Sequence, residues 1–194
     1  MVNTFLAYGC SEEDARTAAS VLIYADKHGI DTHGIGRLKP IYCDRYDAGI
    51  ISKDYTIDIL RENETTALLD GNLGLGLAIG PYAMKMAIKK AKQFGCGFVA
   101  VKNSTHYGVC GYYSQMAADE GCISWNGTNA RPSIAPFGGV DPLIGTNPLC
   151  LGVPSGDDFP CIIDCATSIT QRGKIEKYAR EGKPTPYGQV FYCF

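Results

Sequence analysis

The chain has 194 residues, 45% of them hydrophobic, with 18 Lys plus Arg against 20 Asp plus Glu. That size and apolar content supply the core of one substantial domain, or of a domain with a small appendage, and the scattered, nearly cancelling charge leaves no basic stripe for nucleic acid. No apolar run approaches the ~20 residues of a membrane span, and the opening MVNTFLAYGC is too short and uncharged for a secretory signal, so a cytoplasmic location without membrane or nucleic-acid partners is expected.

Ser11 followed by Glu12, Glu13 and Asp14 marks a helix start, a hydroxyl cap with acidic groups where the helix dipole favours them. Ala15, Ala18, Ala19, Leu22, Ile23 and Ala25 predict one buried stripe, and Lys27, His28 and Gly29 predict its end. TIDIL and TTALLDG read as strands leading to GNLGLG, and Pro81 to Phe94 as a helix with Ala83, Met84, Ala87, Ile88 and Ala91 on one face. GFVAVKNS follows as a strand, then a helix from about Gly111 to Glu120, the strand CISWN and a long Gly/Pro-rich stretch. Strands around PLCLGV and CIIDCA and a helix from Gln171 to Glu181 complete the pattern, which predicts a layered α/β or α+β domain. The nine cysteines are odd in number, lack any CxxC pair and stand mostly in apolar stretches such as GCGFVAV and LCLGV, so buried reduced thiols are expected and no metal site.

Three stretches carry polar groups where chemistry can be displayed. HGIDTHGIGR, residues 28 to 37, repeats His-Gly-Ile, but its two histidines fall in different settings: His28 at a helix end, His33 in the loop after it. Arg37, four residues beyond His33, has a planar guanidinium able to grip a carboxylate at two points. His106 follows a strand in NSTHYG, a loop position suited to binding, and equally to a hydrogen-bonded structural histidine. Asp164 closes the strand in IIDCATS, where it either helps to hold an anion or caps a helix. GNLGLG follows a strand and precedes a helix, but its spacing is G-x-x-G-x-G rather than the G-x-G-x-x-G of a dinucleotide turn, so a turn permitting close packing is expected.

Taken in order, DTHGIGRL, the DG before GLG, NSTHYGVCGYY, TNARPSIAPFGG, IGTNPL and DCATSITQRGKIEKYAREGKP form a series that resembles the malate/L-lactate dehydrogenase family of NAD(P)-dependent oxidoreductases, from about Ser11 to Gly188. The resemblance implies an unusual non-Rossmann cofactor fold, a homodimer, NAD or NADP as cofactor, and hydride transfer to or from a 2-hydroxy or 2-oxo acid. It implies that His106 and His33 supply acid/base chemistry with Thr32 beside them, His106 carrying the proton and His33 lining the substrate pocket. Arg37, Thr128 and Asn129 are implied to contact substrate, and His106, Tyr107, Gly108, Asp164, Ala166 and Thr167 the cofactor. Residues 1–60 are then a helical segment bearing the active-site loop, and 61–194 the first part of the cofactor domain.

Three departures from the family pattern bear on function. Thr32 stands for the family's serine, keeping the hydroxyl but adding a methyl group, and Ala130 stands where relatives often carry a serine. The family's chains are about twice a single-domain length, and the ending QVFYCF leaves the pattern, so a truncated or frameshifted form is expected. Such a form is expected to turn over poorly and to expose apolar strands. The alternative reading is an inactive fragment, or a binding or dimerisation subunit, that keeps the fold.

Overall fold

The protein is described here by a computed structural model covering residues 1–169 and 172–186. Val2–Ala7 forms a first helix, α1, which the sequence pattern did not announce; its one fully buried side chain is Phe5, set edge-on to Tyr42. The second, α2, runs Glu12–Lys27, with the Ser11 hydroxyl accepting from the Asp14 N–H at 3.1 Å. Its buried stripe is Ala15, Ala18, Ala19, Val21, Leu22 and Ala25. Ile23, expected in that stripe, is 40% exposed, because the helix turns Val21 rather than Ile23 beneath the loop at Gly108. His28 ends α2 with Nδ1 on the Tyr24 carbonyl at 2.8 Å, and Gly29 follows at φ +71°.

A 3₁₀ turn, Ile35–Arg37, and a wide turn, Leu38–Cys43, lead to the short helix α3, Asp44–Asp47. Strands β1 (Asp58–Glu62) and β2 (Thr66–Asp70) pair antiparallel, and β3 (Phe98–Lys102) joins β2 in parallel. The parallel pair requires a crossover, and helix α4, Gly76–Phe94, supplies it. This helix begins five residues before the expected Pro81, because Leu77 and Ile79 in the extra turns are fully buried and Thr105 caps its first turn.

Helix α5, Cys110–Asp119, lies on a second sheet of β4 (Ser124–Gly127), β5 (Leu149–Val153) and β6 (Cys161–Cys165), antiparallel in that order. Ser114 of α5 accepts from Ser124 and Asn126 and meets Cys150, a buried polar seam between helix and sheet. The outer face of the same sheet carries Trp125, Leu151 and Ile163 side by side across the strands, all exposed. Helix α6 spans Arg172–Arg180. The expected helix start at Gln171, the ending QVFYCF and Cys193 lie outside the described residues.

The layered α/β expectation holds. One core cluster joins α1, α2, Tyr42 and Tyr46 to Leu75, Leu77 and Val109 at the starts of α4 and α5, drawing on both predicted segments. The cysteines depart from expectation. Among the described residues Cys110 and Cys150 are buried, but Cys96, in the loop between α4 and β3, and Cys161 and Cys165, on the edge strand β6, are exposed.

Candidate active site

The site is assembled by the GNLGLG turn, which seats the loop that follows β3. Thr105 Oγ1 accepts from the Gly76 N–H at 3.0 Å and donates to the Gly74 carbonyl at 2.8 Å, so the start of α4 is capped by this loop. A Cβ on Gly76 would collide with the Thr105 carbonyl oxygen and lie 2.6 Å from that of His106. At the loop's origin, Asn103 adopts φ +49° and donates to both carboxylate oxygens of Asp70 at 3.0 Å. The glycines serve close backbone approach, as the spacing predicted.

His106 is thereby brought to His33: the two rings are nearly parallel with centroids 5.9 Å apart. His106 Nδ1 lies 2.7 Å from the Tyr42 hydroxyl and 3.3 Å from the Gly108 amide nitrogen, which donates to it. His33 Nδ1 lies 3.1 Å from Thr32 Oγ1. Arg37 donates through Nε to the Thr32 carbonyl and through Nη1 to Glu176 of α6 at 2.7 Å. Lys177 pairs with Asp31 at 2.6 Å, so α6 is tied to this loop twice. His33, His106, Thr32 and Arg37 thus form one cluster. His28 stands apart as a helix-ending residue.

Burial holds both cluster imidazoles neutral. It lowers His33 to about 4, aided by Arg37, and His106 to about 3, aided by His33, Arg45 and Arg37. An unfolded histidine titrates near 6.5, so below that pH the unfolded chain binds protons that the folded one refuses. The stability due to the neutral pair is therefore complete above about pH 6.5 and declines as pH falls towards 4. Unfolding free energies from urea titrations between pH 7.5 and 4.5 should fall with a slope approaching about 1.4 kcal/mol per pH unit per histidine. Replacing both His33 and His106 by Gln should flatten that part of the curve; an unchanged slope would show that other groups set it.

The remaining expected residues fall elsewhere. Tyr107 stacks on Tyr113 at 4.8 Å, and Gly108, at φ +87°, has no room for a Cβ beside Val21. Thr128 and Asn129 join Thr105 and Tyr107 in lining a cavity of about 490 Å³ between α4, β3, α5 and β4. That cavity is walled by small residues such as Gly80, Ala83 and Ala87, and Asn126 is among its lining residues; the Oδ1 of that side chain is buried and has no hydrogen-bond partner among the described residues. Asp164 accepts from the Gly111 N–H at 2.7 Å and so caps α5, with burial raising its carboxyl. Thr167 bonds the Thr146 carbonyl through both its amide and its hydroxyl, and Ala166 precedes it at the end of β6. Tyr42, Glu176 and Thr105 were not singled out from sequence; only the folded chain brings them to the histidines and to the turn. No group of three or more His, Cys, Asp or Glu among the described residues is placed to hold a metal ion, and no described helix is long and apolar enough to cross a membrane.

The class so defined is a layered α/β domain with a two-histidine, one-arginine cluster next to an apolar cavity. The chain belongs to the malate/L-lactate dehydrogenase family, whose model matches residues 1–191. It is 45% identical over 188 residues to a malate dehydrogenase of Pyrococcus horikoshii, covering 97% of this chain and 52% of that protein. It is 40% identical to an L-sulfolactate dehydrogenase of Methanocaldococcus jannaschii, covering 97% and 54%. Among solved structures, malate dehydrogenase from Entamoeba histolytica superposes with a TM-score of 0.93 at 50% identity, over 96% of this chain and 52% of that one. The chain spans about half the length of the curated relatives it matches.

Proposed function

We propose that the cluster binds a 2-hydroxy or 2-oxo acid and serves hydride transfer between that acid and NAD or NADP. The observation that carries this reading is the convergence of His33 and Arg37, from one loop, with His106, from a separate part of the chain, into one largely buried cluster. Arg37, whose Nε and Nη1 hold the Thr32 carbonyl and Glu176 in this structure, grips the carboxylate by sharing or exchanging Glu176 and thereby aims the reacting carbon at the histidines. A neutral imidazole takes the hydroxyl proton during oxidation and returns it during reduction, and Thr32 holds the His33 ring.

The adjoining cavity fits the flat, amide-bearing ring of a nicotinamide cofactor: small residues leave room for it, and Asn126 on its wall has a buried Oδ1 without a partner among the described residues. Tyr107, Thr128 and Asn129 would help to hold the group there, and when bound it supplies the hydride acceptor. Asp164 acts through α5, whose first turn it caps. Ala166 and Thr167 lie on the segment that leaves β6, fastened at Thr146. The protein is further proposed to act as a cytoplasmic homodimer, on the strength of the family resemblance.

The test is spectrophotometric. The chain, supplied with malate, L-lactate or sulfolactate and either NAD or NADP, should show an acid-dependent rise at 340 nm that His33→Gln abolishes. Nucleotide binding with no acid-dependent rise would replace the reading with a non-catalytic binding role.

A further inference from the structure

We propose that Tyr42 is a positioning residue: together with the Gly108 amide it holds His106 as the neutral tautomer with its proton on Nε2, leaving His33 as the histidine free to exchange a proton. The tautomer follows from which groups can only donate. A backbone amide has no acceptor, so the Gly108 N–H, 3.3 Å from His106 Nδ1, requires a lone pair there. The Tyr42 hydroxyl, 2.7 Å from the same atom, is fully buried and held protonated well above its ordinary range, so it too is available as a donor. A proton on Nδ1 would be set against the Gly108 N–H. His106 therefore resists becoming imidazolium for a geometric reason, besides its burial and the nearby His33, Arg37 and Arg45.

His33 Nδ1 meets no donor-only group among the described residues. It lies 3.1 Å from the Thr32 hydroxyl, a group that, unlike a backbone N–H, has both a donor and an acceptor, so this contact does not itself exclude an Nδ1 proton. The two histidines consequently divide the work, reversing the order that the family resemblance implied. His106 presents Nε2–H as a fixed hydrogen-bond donor, suited to polarising the carbonyl oxygen of an oxo acid or gripping the hydroxyl oxygen of a hydroxy acid. His33 takes the hydroxyl proton on Nε2 as hydride leaves, becoming imidazolium with its Nδ1–H donated to Thr32, and gives the proton back in reduction.

Tyr42 owes its place to the wide turn Leu38–Cys43, which begins one residue after Arg37, so a single short segment sets both the guanidinium and the tyrosine. Gly108 owes its place to a left-handed conformation against Val21 that a side chain would disturb.

The division of roles rests on the proposed function; the tautomer does not, and it is measurable in the free protein. Long-range proton–nitrogen correlation spectra of the ¹⁵N-labelled chain at neutral pH need to resolve only three histidines. His106 should show an unprotonated Nδ1 and a protonated Nε2. Neutral His28, whose Nδ1 donates to the Tyr24 carbonyl, should show the opposite pattern in the same spectrum. In Tyr42→Phe the His106 Nδ1 signal should move towards that of an unbonded ring nitrogen while His28 stays in place. A protonated Nδ1 on His106 in the wild-type chain would overturn the proposal, and so would an unmoved Nδ1 in a folded Tyr42→Phe variant. If that variant fails to fold, the wild-type spectrum alone decides. Failure of the 340 nm assay with the expected spectrum would count against the function and not against the tautomer.

Discussion

Gly76→Ala should destabilise the chain by about 3 kcal/mol, the upper end of what overpacking a tight contact costs, and should disturb the His106 loop. Alanine is ordinarily the better helix residue by about 1 kcal/mol, so propensity alone predicts the opposite sign at this first position of α4. The sign is set by what the new methyl group meets. It would collide with the Thr105 carbonyl oxygen and lie 2.6 Å from that of His106, and neither is the end of a flexible side chain. To make room, the loop must lift off α4, losing the Thr105 bonds to Gly76 and Gly74 and drawing His106 away from Tyr42. A urea midpoint equal to that of the wild-type chain, with His106 Nδ1 unshifted, would contradict this account of the GNLGLG turn. Gly121→Ala makes a useful contrast: that glycine has nothing within 4 Å of a new Cβ, so its cost is confined to a backbone at φ +72° and should be about 1 kcal/mol.

Arg37→Leu should weaken oxalate binding by about 100-fold, since two charge-assisted hydrogen bonds at a half-buried site are worth on the order of 3 kcal/mol. Oxalate serves as a stable stand-in for the carboxylate and carbonyl of a 2-oxo acid. The arginine side chain is only 13% exposed, and Glu176 already lies on it. An incoming carboxylate therefore shares or displaces that partner. Glu176→Gln should accordingly tighten oxalate, by about 3-fold to 10-fold if the competing charge is worth about 1 kcal/mol. Isothermal titration of the three proteins checks both signs. Equal affinity in wild type and Arg37→Leu would remove the arginine from the site, and weaker binding in Glu176→Gln would show that the pair orients the guanidinium rather than competing for it.

The parts of the fold that were legible in the sequence are those written locally. Ser11 capping α2, Gly29 ending it, and the apolar strands TALLD, FVAVK and CIIDC all appear within a few residues of their expected bounds. The N-terminal limit of α4 was not legible, because its cap, Thr105, lies 29 residues away in the chain. Asp164 shows the same difficulty in the site. A carboxylate ending a strand invites an anion-site or N-cap reading, and the helix that it caps, α5, precedes it by more than 40 residues. The histidines themselves were marked by loop context and motif, but nothing local joins His106 to Tyr42, 64 residues earlier. Sequence thus marked the two histidines, while the groups that hydrogen-bond to His106 appear only in the folded chain.

The central claim is that His33, His106 and Arg37 form a site for a 2-oxo or 2-hydroxy acid. Oxalate titrated into the ¹⁵N-labelled chain tests it most directly, with His28, outside the cluster, as internal control. The account predicts saturable shifts of the His33 and His106 ring nitrogens, an unmoved His28, and loss of the response in Arg37→Leu. Shifts confined to His28, or none at millimolar oxalate on a chain whose His33 and His106 signals are well dispersed, would contradict it.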